Sequence, residues 1–166
     1  MGTVLKAEKF HNAPWGGLER SADELIRDYA TTRRMTLNEP MCNISADTSP
    51  GVVNIRFGLY ESDDLFGDAE VWELHPYDMG VEARSGPDRA YIFFTCVSPR
   101  LEGSDKSPAR IKGMLTHRWS ELPDTVPVRE ANLTILHSVV LAVARKLGCE
   151  NDAGLDAKPV FRPWPE

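Results

Sequence analysis

Residues 128–148 read VREANLTILHSVVLAVARKLG, and this stretch decides the fold expected for the chain. At the angular spacing of a helix, apolar side chains cover about two-thirds of the cylinder. The remaining narrow strip holds Thr134, His137, Ser138, Leu141 and Arg145. Such a helix buries most of its surface, so it requires a second layer of protein against it. Gly148 should end the helix in the left-handed conformation.

A shorter helix is predicted near the N-terminus. Ser21 and Glu24 have the spacing of a capping box, in which each side chain hydrogen-bonds to the backbone of the other residue. The apolar residues that follow recur at helical spacing and form one stripe, namely Ala22, Leu25, Ile26, Tyr29 and Ala30. The pattern predicts an amphipathic surface helix that starts at Ser21 and ends near Arg34, before Pro40.

Between the two helices the apolar residues alternate with polar ones, which is typical of strands. Strands are expected over residues 42–46, 53–59, 69–75, 79–84 and 90–97. The stretch 90–97, AYIFFTCV, is apolar on both faces and therefore predicts a central strand that is covered on both sides. Residues 110–120 fit either a strand or a helix, and Gly113 and Thr116 favour the strand.

These elements predict an α+β fold. An antiparallel sheet of four to five strands would carry the N-terminal amphipathic helix and the long, largely buried C-terminal helix on one face. Residues 1–150 are expected to form a single domain. Residues 151–166 contain Pro159, Pro163 and Pro165, which exclude a regular helix. They predict an extended tail whose Phe161 and Trp164 lie across the body or across a neighbouring molecule.

Charge is unevenly distributed along the chain. The net charge of −6 disfavours a nucleic-acid-binding protein, because such proteins use basic residues to neutralise phosphates. Residues 61–78 hold seven acids and no Lys or Arg, whereas residues 100–118 hold five bases and two acids. The segregation fits two solvated loops, or alternatively a polar face that orients a partner.

The cysteines and the N-terminus suggest a cytoplasmic protein. Cys42, Cys96 and Cys149 are odd in number and more than 50 residues apart, so reduced and mostly buried thiols are expected. The first residues contain no apolar run of signal-peptide length. No stretch has the 18 or more uncharged apolar residues expected of a membrane span, so no contact with a membrane is expected.

The stretch Trp72–Asp78, WELHPYD, holds the densest group of chemically active side chains. On a strand Glu73 and His75 would lie on the same side, about 6.5–7 Å apart, so the carboxylate could hold the imidazole as a general base. These two residues and His117 are the catalytic candidates, although the local sequence supplies no nucleophile or oxyanion hole. The histidine and acid spacings match no metal-binding motif, and neither a metal nor a cofactor is expected.

Two functional hypotheses follow. In the first, the chain is a protein-interaction module, such as a small chaperone, an immunity-type protein or an assembly protein. It would bind a protein partner or a second copy of itself through Trp72, Tyr77, Asp78, Trp119, Phe161 and Trp164. In the alternative, it is a small-molecule-binding protein or an enzyme that uses His75 and Glu73. Its pocket would lie between the sheet and the long helix, lined by Trp72, His75, Tyr91, His117 and Trp119.

Overall fold

The computed structural model describes residues 11–14, 17–31, 40–46, 49–118 and 121–164. They form an antiparallel sheet with two helices on one face, which confirms the α+β fold. The strands are β1 (His11–Pro14), β2 (Cys42–Ala46), β3 (Ser49–Leu59), β4 (His75–Tyr77), β5 (Glu82–Ser85), β6 (Arg89–Cys96) and β7 (Ala109–Arg118). The helices are α1 (Gly17–Ala30) and α2 (Val126–Leu147). The strand order across the sheet is β1-β2-β3-β7-β6-β5-β4.

The long helix α2 is the main element that covers the sheet. Leu133, Leu136 and Val140 are fully buried, and Gly148 ends the helix with a φ of 73°, as predicted. A Cβ atom on Gly113 of β7 would lie 2.8 Å from the Val140 side chain, so the helix packs directly on the centre of the sheet. By length and composition α2 would also qualify as a membrane span, but half of that stretch is buried here, as in the core helices of other proteins.

The start of α1 differs from the prediction. The helix begins at Gly17 rather than at Ser21, and Ser21 lies buried inside it. Leu18 packs against the core, which extends the apolar stripe towards the N-terminus. The Glu24 carboxylate accepts a hydrogen bond from Arg20 Nε at 2.7 Å. Its partner is thus a side chain one turn earlier on the surface of the same helix. The predicted end at Arg34 lies outside the described residues.

Within the described residues the sheet has seven strands rather than four or five. One additional strand is β1, which pairs with β2 in a segment where the sequence shows no strand pattern. Residues 109–118 form a strand, β7, which lies between β3 and β6 at the centre of the sheet. There Ile111, Gly113 and Leu115 alternate towards the helices, so strand periodicity prevails over the helical alternative.

The predicted strand over residues 69–75 is wrong. Val71 and Leu74 bracket a tight turn, and the short edge strand β4 begins only at His75. Pro76 lies within β4. An edge strand tolerates proline, because one side of it needs no N–H donor for a neighbouring strand.

The acidic segment 61–70 covers part of the face opposite the helices. It is held there by a buried ion pair on β5, in which Arg84 Nε donates to Glu82 at 2.8 Å. The same carboxylate accepts hydrogen bonds from the backbone N–H groups of Phe66 and Gly67, at 3.1 and 3.2 Å. The Phe66 ring lies 6.1 Å from that of Phe93 on β6, which is only 1% exposed. The central strand β6 is therefore covered on both faces, as predicted.

The acidic and basic stretches of the sequence meet within the molecule. Arg110 of β7 donates a hydrogen bond to the Ser62 hydroxyl at 2.7 Å, and Lys112 lies 3.9 Å from the Asp64 carboxylate. Some of the basic residues in 100–118 thus attach the acidic segment to the sheet of the same molecule. The remaining acids of the segment stay exposed.

Cys96 and Cys149 form a disulfide, which corrects the expectation of three reduced thiols. Their separation of 53 residues hides this pairing in the sequence. The fold places the end of β6 beside the residue that follows Gly148, and the Glu150 N–H donates to the Val97 carbonyl at 2.9 Å. Disulfides persist mainly in oxidising compartments. The expectation of reduced thiols thus no longer supports a cytoplasmic location, which remains a prediction from the sequence.

The C-terminal tail lies against the body of the same molecule. It starts with a turn in which Asn151, Asp152 and Ala153 have φ values of 51°, 52° and 59°. Further along, the Asp78 N–H donates to the Arg162 carbonyl at 3.0 Å, and Pro163 forms a β-bridge with Tyr77. The tail therefore adds a short stretch of backbone to the β4 edge of the sheet.

Candidate binding surface

Trp72 is exposed on a turn that is firmly attached to the sheet. Its side chain is 81% exposed, whereas Leu74 on the same turn is 6% exposed. The Leu74 N–H donates to the Val71 carbonyl at 3.0 Å. A Cβ atom on Gly86 would lie 2.0 Å from the Glu73 carbonyl oxygen, so only glycine allows the turn to approach the β5–β6 hairpin this closely. Trp72 is thus held outward by an anchored backbone.

His75 is paired with Asp124 and not with Glu73. Its Nε2 lies 2.9 Å from Asp124 Oδ2, and Arg129 donates to the other carboxylate oxygen at 2.6 Å. Glu73 belongs to the preceding turn, with a φ of 57°, and does not share a strand face with His75. The Glu73–His75 pair expected from the sequence is therefore absent, because residues 71–74 turn instead of continuing as a strand.

The His75–Asp124–Arg129 cluster attaches the start of α2 to the edge strand β4. Partial burial alone would raise the pKa of Asp124, but the hydrogen bonds from His75 and Arg129, together with their charges, lower it. Ser85 uses its hydroxyl to donate to the Arg129 carbonyl at 2.9 Å. In the described ranges, no hydroxyl or thiol hydrogen-bonds to His75, whose side-chain partner is Asp124.

Two exposed apolar side chains are close along the chain to the His75–Asp124 pair. Among the described residues, large apolar side chains are exposed at Trp72, Val81, Val126 and Val160. Trp72 lies on the turn that precedes His75, with Glu73 and Leu74 between them. Val126 follows Asp124 after Thr125 and is the first residue of α2. We call Trp72, His75, Asp124 and Val126 the Trp72 surface. Asp124 and Val126 were missed in the sequence, where only Pro127 marks the helix start beside them.

The other predicted binding residues are distributed differently. Tyr77 is buried, and the Phe161 ring of the tail meets it edge to face with centroids 6.2 Å apart. These two aromatic residues therefore contact each other within one molecule and do not form an open surface. Trp164 is half-buried near the end of the tail, and Asp78 lies in a cleft beneath the tail. Trp119 lies outside the described residues.

Of the side chains assigned to the predicted pocket between the sheet and α2, those that the structure describes do not line a common pocket, and Trp119 lies outside the described residues. His117 lies on the helix side of β7, where its Nε2 is 2.8 Å from Asn132 Oδ1. Asn132 in turn donates to the Gly86 carbonyl at 2.8 Å. Tyr91 pairs with Met114 on the opposite face, and Trp72 is exposed. His117 is half-buried and therefore acts as a cross-link between α2 and the sheet.

Buried histidines make stability depend on pH. Burial lowers the pKa of His117 and of His137 despite hydrogen bonds that act in the opposite direction, so folding favours the neutral form of both imidazoles. In the unfolded chain a histidine takes up a proton near pH 6.5. The contribution of the two histidines to folding stability is complete above about pH 6.5 and is lost as the pH falls below this value. Urea denaturation at pH 7.5, 6.5 and 5.5 should therefore show falling stability.

His117→Gln retains a donor for Asn132 but does not titrate, so its stability should fall less over the same interval. Equal stability of the wild type at pH 7.5 and 5.5 would contradict the expectation. Asp124 affects stability over a separate, more acidic pH range. Its pKa is lowered in the folded protein, so the stability it contributes is lost only below about pH 3.9.

The described part of the chain contains no group of three or more His, Cys, Asp or Glu side chains placed to hold a metal ion. Comparison of the chain with protein-family models, curated proteins and solved structures finds no match.

Proposed function

We propose that this chain is a protein-interaction module that binds its partner through the Trp72 surface. The observation that supports this is the 81% exposure of Trp72 on an anchored turn. Tryptophan offers a large, stiff contact area and is the type of residue that dominates binding energy at protein interfaces. Since the backbone beneath it is already fixed, little ordering entropy is lost when a partner binds.

The charge around Trp72 indicates the chemistry of the partner. Glu70 and Glu73, which flank Trp72 in the sequence, are exposed. The whole stretch 61–78 contains no Lys or Arg. A matching partner has an apolar recess for the indole ring with Lys or Arg side chains around it, and this arrangement speeds association and excludes acidic competitors.

The partner is either a second copy of the chain or a different protein, and sedimentation velocity separates these cases. If copies associate, wild-type protein should show a concentration-dependent dimer that Trp72→Ser abolishes. Val81→Ser is the matched control, because it removes an exposed apolar side chain elsewhere. Both variants should melt like the wild type, since neither side chain belongs to the core.

If the wild type is a monomer, the test moves to proteins retained by the chain from extracts of its source cells. A retained protein is purified, and its Kd for wild type, Trp72→Ser and Val81→Ser is measured by titration calorimetry. We expect Trp72→Ser to weaken binding by about 30-fold, the size of an interface hot spot, and Val81→Ser to leave it unchanged. An unaffected dimer, or equal Kd values for both variants and the wild type, would refute the proposal.

A further inference from the structure

A second site lies beneath the C-terminal tail, away from the Trp72 surface. It is a cleft of about 190 Å³ between α2, the residues that follow β4, and the tail. Its charged and polar lining side chains are Asp78, His137, Asp156 and Arg162. Drug-sized ligands need pockets of about 300 Å³ or more, so this cleft suits a smaller molecule.

His137 supplies the observation that points to a ligand. It projects from α2 and is only 1% exposed, yet its Nε2 has no hydrogen-bond partner within the described chain. A hydrogen bond with the Asp156 backbone raises the pKa of the imidazole, so the ring donates to the Asp156 carbonyl, and it does so from Nδ1 because Nε2 has no partner. In the neutral ring Nε2 is then an acceptor. Most buried polar atoms in proteins have a partner, so a buried acceptor at the wall of a cleft fits a donor placed inside it.

The charges around the cleft define the kind of donor. Asp78 and Asp156 each contribute a carboxylate, and Arg162 contributes one guanidinium, which pairs with Asp156 at 3.2 Å. With His137 neutral, the lining carries one net negative charge. A primary ammonium group has three N–H donors and one positive charge, which matches two carboxylates and one imidazole nitrogen.

We propose that this cleft binds a small molecule with a primary ammonium group, with Asp78, Asp156 and His137 Nε2 as acceptors. The tail forms one wall of the cleft, so binding holds the tail against α2. The site shares no residue with the Trp72 surface and does not depend on the proposed function.

The test uses the full chain and three probes of the same length, which are n-butylammonium, 1-butanol and butyrate. Binding is followed by NMR at the His137 imidazole and at the backbone amides of Gly80 and Gly154, which also line the cleft. We expect saturable shifts with n-butylammonium and none with the other two. Asp78→Asn should raise the Kd at least about tenfold, since it removes a charge-assisted hydrogen bond.

Asp105→Asn is the control, because it removes an exposed acid from a loop outside the cleft. It should leave the Kd unchanged. If Asp78→Asn fails to fold, Asp156→Asn replaces it, with the same expected loss. The proposal is overturned if n-butylammonium gives no saturable shift, if 1-butanol shifts the same signals equally, or if the cleft variants bind as tightly as Asp105→Asn.

Discussion

Leu136→Ala should lower the free energy of unfolding by about 3–5 kcal/mol, the range observed when a fully buried leucine leaves a cavity. Leu136 is 0% exposed, and its Cδ1 would lie 3.4 Å from a Cβ atom on Gly113, so helix and sheet are in close contact there. Neighbouring side chains cannot fill the space, because Val140 is already in contact with the same glycine. The melting temperature followed by circular dichroism should fall by about 10 °C.

Leu136→Asp would place a charge in the same position without a partner, and this variant should not fold. Ser138→Ala is the control, since Ser138 lies on the exposed side of α2. It should melt within a few degrees of the wild type. A Leu136→Asp protein with an unchanged melting temperature would show that α2 does not cover the sheet.

Removal of the disulfide should have an effect of similar size. The bond joins residues that are 53 positions apart, and the chain-entropy estimate for such a loop is about 4 kcal/mol. Cys96→Ala/Cys149→Ala should therefore unfold at a clearly lower urea concentration than the oxidised wild type. The tail should loosen as well, because Cys149 stands immediately before it.

A reductant provides the internal control for this comparison. Dithiothreitol should bring the wild type to the stability of the double variant and leave the double variant itself unchanged. Cys42→Ala should remain sensitive to the reductant, because Cys42 is not part of the bond. Wild-type protein whose urea midpoint is unaffected by the reductant, with both thiols shown to be reduced, would contradict the expectation.

The elements that could be predicted from the sequence are those whose pattern of apolar residues determines which of their faces are buried. The helix α2 is apolar around most of its circumference, β3 alternates between apolar and polar residues, and β6 is apolar on both faces. Their burial follows directly from the residues they contain. The tight turn at Val71–Leu74 was missed, because its residues alternate like a strand, whereas its geometry depends on Gly86 in another hairpin.

The candidate site was predictable only where it is local. Trp72 and His75 stand out within one short stretch, but Asp124 lies 49 residues from His75 and meets it only through the fold. The same holds for Cys96 with Cys149 and for Tyr77 with Phe161. Pairings of this kind depend on where α2 and the tail cross the sheet, and no spacing rule within the sequence gives that information.

Two prolines, one in the edge strand β4 and one in the tail that pairs with it, affect how this edge of the sheet can pair with other chains. Pro76 lies within the strand, and Pro163 of the tail bridges to Tyr77 beside it. Proline has no N–H to offer an incoming chain, so this border is poorly suited to templating the stacked cross-β order of amyloid fibrils. Truncation ahead of Arg162 would remove the outer of these two barriers and leave Pro76 alone to oppose polymerisation.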